Sequence, residues 1–227
     1  MKVLGNYWME KTQNSADWRG LILRLVLSAV VLALWFWTQS LLGGRASPNG
    51  GIDDGLHDTT AGLNHYFHLH AVAANALLIL SSAIVDGLGL FLLGRWLFGG
   101  TVRPFLGLVI LMALRQLMQS LCALPPPSEM IWHYPGFPSL LVTYHVANDF
   151  FFSGHTAIAV FGATELIRIR RAWLSGLAVL MVFFEVSAVL ILRAHYTMDV
   201  FTALVAALWV ASFSEKISSR LDRLLKA

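Results

Sequence analysis

The chain has 227 residues, 57% of them hydrophobic and only 13% charged, with a mean hydropathy of +0.66. A water-soluble domain of that size has no place for so much apolar surface, whereas a protein whose solvent is lipid does. The net charge of +3 resides on loops and tails, so it speaks to topology and not to nucleic acid, and the single Cys122 excludes an internal disulfide or a cysteine-rich zinc cage.

Residues 1–20 are polar, with Lys2, Lys11 and Arg19 leading into the first apolar run. That run, Leu21 to Leu42, is long enough to cross ~30 Å of hydrocarbon. Gly43-Gly44-Arg45 is a poor cleavage site, so the run reads as a retained helix and not a signal peptide. Residues 43–68 read as a loop rich in glycine and acid, with Asp53, Asp54, His57 and Asp58. A second run covers His70 to Leu93 and a third Pro104 to Ala123. A long loop opens with Leu124-Pro-Pro-Pro127 and closes at Asp149. The fourth run is Phe150 to Ile167, the fifth Trp173 to Leu192, the sixth Tyr196 to Phe213, and the basic tail reads as the end of an amphipathic helix.

The expected fold is therefore all-α: a polytopic membrane protein with six transmembrane helices in one bundle, forming a single domain over residues 1–227. All basic residues except Arg45, Arg115 and Arg193 fall on the side of the N-terminus, the even loops and the tail. The positive-inside rule then puts both termini in the cytoplasm. The same count brings the loops before His155 and His195 to the opposite, periplasmic, extracellular or luminal face.

Two motifs carry chemistry. His195 and Asp199 are four apart at the start of a helix and share a face, so the carboxylate can hold one imidazole nitrogen protonated and leave the other as nucleophile or base. Taken alone, such a pair is more simply an interfacial hydrogen bond. His155 follows Ser153-Gly154 at the start of the fourth run, where glycine permits close approach and a helix N-terminus offers N–H groups to an anion. Arg193 stands two residues before His195, placed either to snorkel or to fork onto a phosphate. Arg115 lies inside the third run, where an arginine is costly; its bland alternative is a pair with Glu185 or Asp86. His65, His68 and His70 have spacing that zinc tolerates, but without a clear acid partner they read as polar belt residues. Glu129, His133 and His145 lie in the long loop as head-group contacts or solvated positions, and Glu165 reads as a partner of Arg168 or Arg170.

The chain resembles the lipid phosphatase and phosphotransferase superfamily, the type 2 phosphatidate phosphatases. Within it the chain looks most like the sphingomyelin synthases and phosphatidylcholine:diacylglycerol cholinephosphotransferase. The matching pieces are Asp149-x-x-x-Ser153-Gly154-His155-Thr156, His195-Tyr196-Thr197-x-Asp199, and Arg115 followed ten residues later by Pro125-x-Pro127. They run in order from Arg115 to Val200. Two departures separate it from the phosphatases: Trp96 stands at their lysine position before Arg103-Pro104, and Ala188-Val189 replaces a Ser-Arg pair.

The resemblance implies transfer of a phosphocholine or phosphoethanolamine head group from a glycerophospholipid to a lipid hydroxyl, diacylglycerol or ceramide. His195, oriented by Asp199, attacks phosphorus and forms a phosphohistidine. His155 protonates the departing oxygen and then deprotonates the incoming hydroxyl. Arg115 and Arg193 neutralise phosphoryl charge; Ser153, Gly154, Glu129 and Tyr196 line the phosphate and head-group site; Asp149 tunes His155 or meets a cationic head group. No metal and no cofactor are implied. The alternative is a lipid phosphatase or phospholipase C-type hydrolase with water as acceptor, and a channel or transporter ranks last because the polar residues gather at one surface.

Overall fold

The computed structural model describes residues 18–43, 52–144 and 150–224. The helices are α1 (Trp18–Gly43), α2 (Gly55–Thr59), α3 (Ala61–Leu69), α4 (Ala71–Phe98), α5 (Arg103–Leu121), α6 (Gly154–Ile167), α7 (Ala172–Ile191) and α8 (Thr197–Leu224). Among the described residues there is no strand. Five helices, α1, α4, α5, α7 and α8, are long and apolar enough to cross a membrane. Their outward faces carry exposed aliphatic and aromatic side chains such as Val30, Leu34, Val179, Leu180 and Phe183. Lipid makes that arrangement favourable, as in an integral membrane protein.

The fourth apolar run forms a shorter helix than expected. Of its residues 150–167, the first four are non-helical, and α6 has 14 residues, about 21 Å at 1.5 Å per residue. It is the middle of the bundle, packed against α4, α5, α7 and α8. Apolar or small side chains surround it on all faces, and ten of its positions are buried. A helix hydrophobic all round belongs inside.

Helix ends are tied at two opposite ends of the bundle. At one, Asp222 near the end of α8 accepts from Val102 N at 2.7 Å and Thr101 Oγ1 at 2.9 Å, capping α5. There Glu165 accepts from Arg103 Nε and Nη2, at 2.7 and 2.9 Å, and lies 3.4 Å from Arg168, which grips Glu215. Arg24 donates to the last carbonyls of α4 and lies over Trp96. Ten residues of α6 separate Glu165 from His155, so this cluster stands about 15 Å from the other end. At that other end the stretch expected to be a loop folds instead into α2 and α3. Asp54 caps α2 through Leu56 N and His57 N, and buried Asn64 of α3 donates to Ile191 O at the end of α7.

The long loop after α5 keeps Tyr134, Phe137 and Leu140 exposed but is tied down along one helix. It descends along α4: His133 bonds Asn75, Tyr144 bonds Ser82 at 2.6 Å, and Asp86 takes Ser139 Oγ, Leu140 N and Leu141 N at 2.8–2.9 Å. Asp86 is fifteen residues into α4, about 22 Å along it. Irregular backbone at such depth survives only where protein satisfies its polar groups, and the Asp86 carboxylate does so. The positions His145 and Asp149 lie outside the described residues.

Candidate active site

Two local turns place the histidines. α6 starts at Gly154 because Ser153 is its N-cap: the Ser153 hydroxyl accepts from Thr156 N at 3.3 Å, and Ser153 N donates to Asp199 O at 3.4 Å. Phe152, just before it, has φ 78°. On the other side of the site, α7 ends in a Schellman turn. Ala194 N donates to Val189 O at 2.8 Å and Arg193 N to Leu190 O at 3.1 Å, with Arg193 at φ 54°. Non-glycine residues in this left-handed region are strained, and such strain gathers where a backbone is held for a purpose. Here one such residue precedes each histidine.

His155 and His195 line a single cleft together with Arg115, Gly154, Trp132, Phe150, Phe152 and aliphatic residues of α4 and α5. A largely apolar lining with a few convergent polar groups suits a small-molecule or lipid head-group site. Both rings are buried. His155 Nε2 has no hydrogen-bond partner among the described residues, and its ring meets Trp132 edge-on at 5.2 Å. A buried polar atom left unpaired is costly and points to a group waiting for a ligand. Trp132 is itself fixed by Nε1 donating to Thr143 O.

His195 Nδ1 lies 2.8 Å from Phe150 O. A carbonyl only accepts, so Nδ1 carries the hydrogen and Nε2 keeps the lone pair. The Asp199 carboxylate stands behind, 3.7 Å from Nδ1. Its own bond is to Tyr196 N at 2.9 Å. Asp199 is the third residue of α8 and Tyr196 the residue before it, so this is the acid half of a capping box. The orienting acceptor for His195 is thus a backbone oxygen, with the carboxylate placed for longer-range support.

Arg115 approaches from α5. Its Nη1 donates to Gln39 Oε1 at 2.6 Å and Gln119 Oε1 at 3.1 Å. Asp86 and Glu185, its alternative partners, are bound elsewhere: Glu185 accepts from Ser81 Oγ at 2.7 Å. A Cβ on Gly154 would sit 3.2 Å from Arg115 Nε, so glycine lets the guanidinium lie against the first turn of α6. A guanidinium and a helix N-terminus are both donors to anions, and they converge on the cleft that holds the two imidazoles.

The other predicted residues stand around this centre and do not line the cleft. Arg193 is buried, with Nη1 on Ser128 O and Glu129 Oε2 (2.8 Å) and Nη2 on His57 O. Glu129 is exposed and bound to Arg193. Tyr196 donates from its hydroxyl to Pro125 O and stacks on His57 at 5.6 Å. Ser153 serves as the cap, and Asp149 lies outside the described residues. Of the histidine cluster, His68 binds Glu129 O and His70 binds Tyr66 O; no metal-like group of three ligands occurs among the described residues.

Sequence reasoning missed a clamp on the His195 loop. Asp54 accepts from Thr197 N and Thr197 Oγ1, both at 2.6 Å, and so caps α8 from 143 residues away. Burial pushes the Asp54 carboxyl up, but the Thr197 hydroxyl and amide, with His57, outweigh it and hold the group below the usual carboxylate range. His57 Nε2 bonds His195 O at 3.0 Å. The only signal was an acid and a histidine three apart in a polar stretch, and nothing local says which turn they reach.

A family model described as AtPDCT1/2 matches residues 52–216, which include every residue of the cleft except Trp35. No curated protein matches the chain.

Proposed function

The chain belongs to the AtPDCT1/2 family and is a membrane phospholipid head-group transferase, and on that premise we propose that it moves phosphocholine from phosphatidylcholine to diacylglycerol through a phosphohistidine. The observation that carries this reading is the meeting of His155, His195 and Arg115 at the N-terminus of α6 in one cleft.

His195 Nε2 attacks phosphorus, and the bond from phosphorus to the glycerol oxygen breaks. His155 gives its proton to that oxygen, and diacylglycerol leaves. The hydroxyl of the incoming diacylglycerol, losing its proton to His155, then attacks phosphorus, and the electron pair returns to His195 Nε2. Two imidazoles thereby share covalent and acid–base work. Arg115 and the α6 terminus meet the charge on the non-bridging oxygens, which both steps increase. Asp199 favours the cationic character that His195 gains. Arg193 acts here as a brace for the loop, through Glu129 and His57, with Tyr196 locked on the other side.

Counting α6 as a sixth crossing helix, both termini lie in the cytoplasm and the cleft faces the opposite side, a topology supported by the distribution of Lys and Arg. The test is purified protein in liposomes with phosphatidylcholine labelled in its choline, with and without added diacylglycerol of distinguishable chain length. Label in the added diacylglycerol's product supports transfer. Water-soluble label independent of acceptor means hydrolysis and overturns the proposal.

A further inference from the structure

Beneath the catalytic cleft lies a second, partly open cavity that the chemistry above does not use. Its walls come from α1 (Val31, Leu32), α4 (Leu90, Leu93) and α5 (Phe105, Val109), with Ser28 and Gly89 among the remainder. The two cavities share Leu108, Met112 and Leu141 as common walls. Together they follow α5 from Arg115 to Phe105, ten residues or about 15 Å. That is one half of a ~30 Å hydrocarbon core, the depth of a single leaflet's chains. Leu141 stands between the cavities at the tip of the loop anchored on Asp86, and the space it occupies exists because residue 89 is glycine: a Cβ there would collide with Leu141 Cδ1.

We propose that this lower cavity holds a fatty acyl chain of the lipid whose head group lies between His155 and His195. The inference rests on the functional reading for the identity of that head group. Its own support is separate: an almost wholly aliphatic and aromatic lining, continuity with the reactive cleft, and a length matched to one leaflet. Water gains nothing in such a space, while each buried methylene is favourable by about 0.8 kcal/mol.

Val109→Trp and Leu93→Trp fill the cavity without touching the cleft's histidines or Arg115. Transfer with dioleoyl lipids is expected to fall about tenfold or more, while transfer with dihexanoyl lipids stays within about twofold of wild type. Chain length is varied separately in donor and acceptor, which tells whose chain occupies the cavity. Equal loss at both chain lengths, or no loss at either, overturns the proposal. A second measurement needs no turnover. Wild-type protein in liposomes is irradiated with phosphatidylcholine bearing a diazirine at the end of one acyl chain. Adducts are expected on the segments around Val31, Leu93 and Val109 and are expected to diminish in Val109→Trp. Adducts confined to the outward-facing Val179, Leu180 and Phe183 overturn the acyl site. Failure of the wild type to transfer label at any chain length sinks the functional reading instead and leaves the crosslinking result to decide this one.

Discussion

His195 donates its Nδ1 hydrogen to the carbonyl oxygen of Phe150, 2.8 Å away and 45 residues earlier in the chain. The Asp199 carboxylate, the obvious partner by spacing, is at 3.7 Å and spends its hydrogen bond on Tyr196 N. The tautomer of His195 therefore survives loss of the acid's charge. Asp199→Asn is expected to lower turnover by about ten- to a hundredfold, the scale of an outer partner, and not to the floor set by His195→Ala. Steady-state rates with labelled phosphatidylcholine check this; equal loss in both variants would make the carboxylate the essential orienter.

Arg115 is held in a fixed pose by Gln39 and Gln119 against Gly154. Lysine keeps the charge but loses the planar fork. Arg115→Lys is expected to reduce kcat/KM by about a hundredfold while the protein folds normally, as removal of one donor to a charged transition state does elsewhere. A variant near wild-type rate would remove Arg115 from the phosphate site.

Asp54 holds the first turn of α8, and with it the His195 loop, through Thr197. Losing these charge-assisted bonds in Asp54→Ala is expected to cost about 2 kcal/mol. The sign of the pH effect follows from a lowered carboxylate pKa. The stabilisation is complete above the unfolded value near 4 and disappears as pH falls through the lower folded value. Thermal unfolding in detergent should show wild type losing its advantage over Asp54→Asn only below about pH 4. A constant difference down to pH 2 would contradict this role.

Much of the architecture was legible because apolar length is a strong signal: the runs from Leu21, His70, Pro104 and Trp173 became helices within about five residues of their ends, and the run from Tyr196 starts as expected but continues from Phe213 through the tail to Leu224. The run at Phe150 was the exception, since its first four residues turn the chain into the cleft before Ser153 caps α6. The histidine pair was legible through motif order. Arg193 was placed near the phosphate by its two-residue distance from His195, yet the left-handed turn at its own position sends the side chain to Glu129. Phe150 escaped notice because every residue has a carbonyl, and Asp54 because its partner is far along the chain. The tethering of the long loop was hidden for a similar reason: nothing in a stretch with proline and glycine says that half-buried Asp86, more than fifty residues earlier, takes its amides.

That descent makes a further outcome measurable. Asp86→Ala removes the acceptor of Leu140 N and of the part-buried Leu141 N, the second of which loses about 1–3 kcal/mol if left unpaired. Hydrogen exchange is expected to rise across residues 139–142 before it rises in α6. Unchanged protection there would mean that Asp86 is not the anchor.

The phosphohistidine is the point on which the rest turns. Protein mixed with phosphatidylcholine without added acceptor, quenched under alkaline conditions and digested, should yield a phosphocholine adduct on the peptide carrying His195. In His155→Ala, which lacks both the acid for formation and the base for discharge, the adduct should form and discharge more slowly, and in wild type it should vanish when diacylglycerol is added. Sustained transfer with no adduct, or an adduct on another residue that is discharged at the rate of turnover, would contradict the account.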